Sequence, residues 1–186
     1  MTYKITFSFG KNWKRFQTTI NEETIQNARV HLVNWLGTDY IRGKSVIDIG
    51  SGSGLSSLAF FLEGAKWIVS FDYDQHSVEA TKKLWYKKKK PDNWNIFQAS
   101  VLTEDLVIKT GKFDIVYSWG VLHHTGKMWD ALENTIKFMA EGAVLWISIY
   151  QNVETYEKDL ALKIKYNKAS FFKKQLMILK EINKIK

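Results

Sequence analysis

Three glycines alternate in Gly50-Ser51-Gly52-Ser53-Gly54, directly after the apolar run Val46-Ile47-Asp48-Ile49. Glycine lacks the Cβ that disfavours left-handed backbone, so this spacing lets the chain turn sharply and a ligand approach the backbone closely. A helix opening at Leu55 would offer the N–H groups of its first turn to an anionic group. The next apolar run, Trp67–Phe71, leads into Asp72. An acid at that place in a doubly wound sheet accepts hydrogen bonds from ribose hydroxyls. Glycine turn and acid together point to a nucleoside-containing cofactor. Asp48 reads either as the group that orients the turn or as a carboxylate that caps it. Asp74 reads as the N-cap of a helix from Gln75. His123 and His124 have the side chain best suited to base catalysis near neutral pH; the other reading is a ring packed or hydrogen-bonded at a chain turn.

These residues need elements to hold them. Ile25, Ala28, Leu32 and Leu36 share one helical face, with Asn21 as cap and Gly37 as stop. Five apolar runs then read as strands: Ser45–Ile49, Trp67–Phe71, Trp94–Ala99, Phe113–Tyr117 and Ala143–Ile149. Helical stripes separate most of them: Leu55, Leu58, Ala59 and Leu62; Val78 to Trp85; and Met128, Ala131, Leu132 and Met139, followed by a turn at Gly142. Alternating helices and continuous apolar strands predict an α/β fold, a doubly wound and mostly parallel sheet covered on both faces. Residues 1–20 are aromatic-rich without a clear period.

The spacing of the turn separates two cofactor classes. A dinucleotide fingerprint, G-x-G-x-x-G, would need its third glycine at Leu55, so an NAD-dependent oxidoreductase is the weakest reading. The observed G-x-G-x-G with Asp48 upstream resembles motif I of the class I S-adenosylmethionine-dependent methyltransferases. Phe71-Asp72-Tyr73-Asp74 resembles motif II, and Gln98-Ala99-Ser100-Val101 stands where the family carries an acid after strand three. Ser118-Trp119-Gly120-Val121-Leu122-His123-His124 resembles the motif after strand four, beside the methionine portion of the cofactor. Phe9-Gly10-Lys11-Asn12-Trp13-Lys14-Arg15-Phe16 resembles a segment that precedes the fold in a bacterial subgroup.

The resemblance implies a Rossmann-like fold with S-adenosylmethionine as cofactor and S-adenosylhomocysteine as product. It implies cofactor contacts from Gly50, Ser51, Gly52, Gly54, Asp72, Tyr73, Ser100, the Val101 N–H and Trp119, with Asp48 acting through the turn. Trp13 and Arg15 would close over the cofactor; their alternative is a surface helix. His123 or His124 would serve as base. The branch it resembles best acts on small molecules, so a small-molecule methyl acceptor is the expected partner.

The 186 residues carry Lys+Arg 27 against Asp+Glu 19, a net charge of +8, one proline and no cysteine. A single proline, Pro91, excludes the two-proline motif of enzymes that methylate exocyclic base amines. The absence of cysteine removes disulfides and thiolate metal sites, and four scattered histidines suggest no metal centre. No apolar window has the length of a membrane span, and residues 1–14 lack the apolar run of a cleavable signal, so a cytoplasmic protein is expected. The Lys87–Lys90 run reads as a solvated loop rather than a nucleic-acid patch, making nucleic acid an unexpected partner.

Residues 151–186 hold nine lysines against four acids. Tyr156, Leu160 and Ile164, then Phe171, Ile178, Ile182 and Ile185, have helical spacing. The expected organisation is a cofactor-binding α/β domain over 1–150, with a helical cap at 1–37, and a basic amphipathic tail over 151–186. The class I fold normally closes with a strand hairpin that has no counterpart here. That departure leaves open a truncated, non-catalytic cofactor binder or partner subunit, a homo-oligomer, and tail contact with an anionic surface. An RNA methyltransferase guided by the lysines is a weaker alternative.

Overall fold

Five strands form one parallel sheet: β1 (Ser45–Ile49), β2 (Trp67–Asp72), β3 (Trp94–Gln98), β4 (Phe113–Trp119) and β5 (Met139–Ser148). Their order is β3-β2-β1-β4-β5, and every neighbouring pair is parallel. This is the expected α/β Rossmann-like architecture. The coordinates are a computed structural model that describes residues 9–150 and 156–182.

The helices are α1 (Phe9–Phe16), α2 (Glu22–Leu36), α3 (Thr38–Ile41), α4 (Leu55–Leu62), α5 (Gln75–Lys87), α6 (Leu106–Thr110) and α7 (Met128–Lys137), followed by α8 (Tyr156–Lys168) and α9 (Phe171–Ile182). The chain divides into two units between Ile149 and Tyr150. In the second, α8 and α9 have the helical structure that the spacing predicts; Ile185 lies outside the described residues. Among the described residues no strand follows β5, whose one strand neighbour is β4. No described helix is long and apolar enough to cross a membrane.

Side chains alternate across a strand, so each strand feeds two cores. On one face Val46, Ile68, Ile115 and Tyr117 pack with Leu32 of α2, Leu58 of α4 and Leu84 of α5. On the other, Ile47, Val69, Phe71 and Val116 pack with Leu106 of α6 and Ala131 of α7. Burial on both faces is why the strands read as continuous apolar runs. Phe60, Phe71 and Phe113 are fully buried, each stabilising the fold by about 2–3 kcal/mol through area removed from water. The ends of α2 follow their sequence signals: Asn21 accepts the Thr24 N–H at 2.8 Å, and Gly37, with φ +81°, donates to Val33 O.

Two expectations fail at β5. Met139 continues the helical spacing of Met128 and Leu132, yet it opens the strand opposite Phe113. Gly142 is not a turn between elements; it lies inside β5 with φ +71°, where the register against β4 shifts between Phe113 and Ile115. A glycine takes the left-handed conformation that such a bulge needs. Within the aromatic-rich start, Phe9–Phe16 is helical as α1. Gly10 N–H donates to Asp74 Oδ2 at 3.1 Å, and buried Gln17 Nε2 donates to Ser53 O at 2.7 Å and Ala80 O at 2.6 Å. Long-range bonds, absent from any local pattern, fix this segment on the domain.

Candidate active site

The strand order reverses between β1 and β4, which opens a crevice at the carboxyl ends of those strands. The glycine turn stands there. Gly50, Gly52 and Gly54 have φ of +75°, +56° and +79°, the left-handed region in which a side chain is strained. Space is restricted as well. A Cβ on Gly50 would overlap Val121, one on Gly52 would stand 3.0 Å from the Trp13 ring, and one on Gly54 would stand 2.7 Å from the Thr81 Cα. The turn is therefore enclosed by the segment after β4, by α1 and by α5.

The turn's own N–H groups are tied down. Gly50 and Ser51 donate to Phe71 O at 2.8 and 3.0 Å, and Gly52 donates to Asp72 Oδ2 at 3.0 Å. These three groups brace the turn against β2 and do not serve as donors to a pyrophosphate; the expectation for an anion rests on the first turn of α4. Ser51 is buried, its hydroxyl 3.0 Å from that of Thr81.

Asp72 is the centre of the arrangement. Its other oxygen accepts the Asp74 N–H at 2.9 Å. A carboxylate oxygen has two lone pairs, so these two N–H bonds do not exhaust the group's acceptors. The half-buried Asp72 thus fits a pair of neighbouring hydroxyls. Burial raises its pKa, while the Asp74 and Gly52 N–H groups oppose that rise. Asp74 itself caps α5 through His76 N at 2.8 Å and receives Gly10 N–H. Tyr73 is exposed at the rim.

Asp48 lies beneath the turn, buried, and accepts a hydrogen bond from the Ser57 hydroxyl. Ser57 in turn meets the Ser70 hydroxyl at 2.7 Å, which accepts Trp94 Nε1–H at 2.8 Å. Burial pushes the Asp48 carboxyl up to about 7. It touches the site through α4 rather than facing the crevice. Ser100 accepts the Leu102 N–H at 3.2 Å, and buried Val101 accepts Asn134 Nδ2–H at its carbonyl.

After β4, a 3-10 turn over Leu122–His124 brings the His123 and His124 rings to 4.0 Å. Burial lowers the His123 pKa, favouring the neutral imidazole that can take up a proton. Trp119 closes β4 and joins an aromatic group with His31 at 4.9 Å and Trp146 at 5.8 Å. Trp13 reaches the turn; Arg15 is exposed. Among the described residues no group of His, Asp and Glu could hold a metal ion. Sequence reasoning missed Gln17 and Thr81, which fasten or enclose the turn. Trp13 and Phe16 at i, i+3 are the signal that places their helix.

Residues 42–185 match the family described as a methyltransferase domain. The chain belongs to that family. This methyltransferase domain is similar to the ribosomal protein L11 methyltransferases of Staphylococcus aureus, 28% identical over 124 residues (64% of this chain, 38% of that one), and of Staphylococcus saprophyticus, 34% identical over 92 residues (50% and 28%). It spans about a third of the length of these relatives. Among solved structures, a Methanococcus maripaludis protein described as an S-adenosyl-L-methionine-dependent methyltransferase has TM-score 0.63 and 18% identity, over 100% of this chain and 88% of that one. A Pyrococcus horikoshii protein described as an RNA methyltransferase has TM-score 0.53 and 17% identity, covering 84% and 81%. These likenesses give the methyltransferase domain its fold. The relatives correct the expected partners: the matched curated proteins are named for a ribosomal protein, against a small-molecule acceptor and against setting nucleic acid aside.

Proposed function

We propose that this methyltransferase domain binds S-adenosylmethionine at the glycine turn and Asp72, and transfers its methyl group to a protein acceptor. The observation that carries the cofactor reading is Asp72, half-buried at the end of β2 and fixed by the Gly52 and Asp74 N–H groups. S-adenosylmethionine supplies a methyl group already activated by sulfonium charge. The work left to the chain is placement and exclusion of water.

Asp72 accepts the ribose hydroxyls, and the glycines keep the floor of the crevice free of side chains. Trp13 shields the turn from solvent, and the Val101 N–H and Ser100 border the base. His123, whose pKa burial lowers, accepts the proton that the acceptor releases, with His124 beside it. The protein acceptor rests on the relatives named for a ribosomal protein.

The test is methyl transfer from tritiated S-adenosylmethionine into separated ribosomal proteins and ribosomal RNA. Label in protein, lost with Asp72→Ala, is expected. Label confined to RNA would overturn the acceptor, and cofactor binding without any transfer would leave a binder.

A further inference from the structure

Each of the five entries into the sheet carries a lysine. Lys44 directly precedes β1, Lys66 precedes β2 and Lys112 precedes β4; Lys137 stands just before β5, and Lys90 before Pro91 on the way to β3. Since all five strands are parallel, these entries share one end of the sheet, opposite the glycine turn. They lie side by side: Lys66 N–H donates to Lys44 O at 2.8 Å, Asn93 Nδ2–H to Lys66 O at 3.3 Å, and Phe113 N–H to Phe138 O at 2.8 Å. With strands about 4.8 Å apart, the row is about 19 Å long.

Lysines in the last turn of a helix complement its dipole, which accounts for Lys87 and Lys137. It does not account for Lys44, Lys66, Lys89, Lys90 and Lys112, which stand beyond the helices. Lys89 and Lys90 hold left-handed backbone, φ +62° and +56°, which costs a residue with a side chain about 1–2 kcal/mol. The bonds Lys90 N–H to Trp85 O and Trp85 Nε1–H to Pro91 O, both 3.0 Å, keep them there. Of the acids on these entries, Asp114 is turned onto the Ser45 N–H and hydroxyl, and Glu63 onto Arg29 and Thr38. Asp92 is exposed. Asp114 also stands 3.8 Å from Lys44 Nζ, and Lys137 Nζ donates to Asn134 Oδ1 at 2.8 Å, so Lys66, Lys90 and Lys112 carry most of the row's positive charge.

We propose that this lysine row is an RNA-binding surface, which holds the phosphate backbone of a substrate particle at the end of the sheet opposite the methyl-transfer site. Closely spaced exposed lysines attract a polyanion without reading its sequence. RNA is favoured over an anionic membrane by the neighbouring groove. This groove, of about 520 Å³, opens beside the row at Trp67; Phe97, Val69 and Leu106 line it together with Asn95, Gln98 and Lys109. Aromatic rings beside amides and the Lys109 ammonium suit an unstacked base and its phosphate.

The experiment measures binding of the full chain to a 20-nucleotide single-stranded RNA over a salt series, without cofactor, so its outcome is separate from the cofactor reading. Each phosphate neutralised adds about 0.7 to the slope of log affinity against log salt, so five lysines predict a slope of about −3.5. The variant carrying Lys66→Gln, Lys90→Gln and Lys112→Gln should bind roughly tenfold or more weakly and lose about 2 from that slope. A matched variant in the second unit, Lys165→Gln, Lys173→Gln and Lys180→Gln, should keep most of the affinity. Absence of RNA binding by the unaltered chain at low salt overturns the proposal. So does loss confined to the second variant, or binding to phosphatidylserine vesicles and not to RNA. The unaltered chain's slope stands as a readout if the first variant does not fold.

Discussion

The Asp72 carboxylate accepts the Gly52 N–H at 3.0 Å, so the acid that ends β2 and the middle glycine of the turn hold each other in place. Removing the carboxylate takes away the proposed ribose acceptor and the brace of the turn together. Asp72→Ala should weaken S-adenosylmethionine binding by roughly 1–3 kcal/mol, the scale of hydrogen bonds to a charged group. Calorimetry reads the change. Equal affinity would mean that Asp72 does not hold the ribose.

The three glycines should not respond equally to alanine. A left-handed alanine costs about 1–2 kcal/mol at any of them. At Gly54 the new Cβ also meets the Thr81 backbone at 2.7 Å, whereas at Gly52 it meets the edge of a side chain, Trp13, at 3.0 Å. Gly54→Ala should therefore lower the urea midpoint more than Gly52→Ala. In a Trp13→Ala background the cost of Gly52→Ala should fall. A cost unchanged by Trp13→Ala would show that the ring does not cover the turn.

Asp48 ties stability to pH. Its folded pKa is raised from 3.8 to about 7 by burial, so the folded state holds this proton more tightly than the unfolded chain. The contribution is fully present below about pH 4 and is lost as pH rises through about 7. Full linkage amounts to about 4 kcal/mol at 1.36 kcal/mol per pH unit. The raised Asp72 adds in the same direction and the lowered Asp114 in the opposite one. Asp48→Asn should flatten the fall in stability between pH 5 and 8, measured by urea unfolding at both pH values. A fall of undiminished size in that variant would contradict the assignment.

His123 is lowered in pKa by burial and sits on the turn after β4. As base it should contribute about 10²–10⁴-fold. His123→Gln should lower kcat by an amount in that range, with the affinity for S-adenosylmethionine unchanged. A variant with full kcat would remove His123 from the chemistry, and the same test on His124 separates the pair.

The residues most legible in the sequence are those whose constraint is local. Gly50, Gly52 and Gly54 need a conformation that glycine adopts best and stand at the switch point where the strand order reverses; Asp72 follows from the end of the apolar run that forms the neighbouring strand β2. Asn21 and Gly37 mark a helix for the same local reason. What escaped depends on partners far along the chain. Met139 satisfies a helical period, but pairing with Phe113 across the sheet decides its state, and Gly142 supports a bulge rather than a turn. Gln17 has no local signal at all, since Ser53 and Ala80 supply its bonds. The lysines ahead of the strands are scattered along the sequence, and only the parallel order of the sheet sets them in one row.

The central claim is a phosphate-free nucleoside cofactor at the glycine turn. Titration of the folded chain with S-adenosylmethionine, and separately with NAD, tests it most directly. Saturable one-site heat with S-adenosylmethionine, reduced by Asp72→Ala, and none with NAD is the predicted result. No saturable heat with S-adenosylmethionine, or tighter binding of NAD, would contradict it.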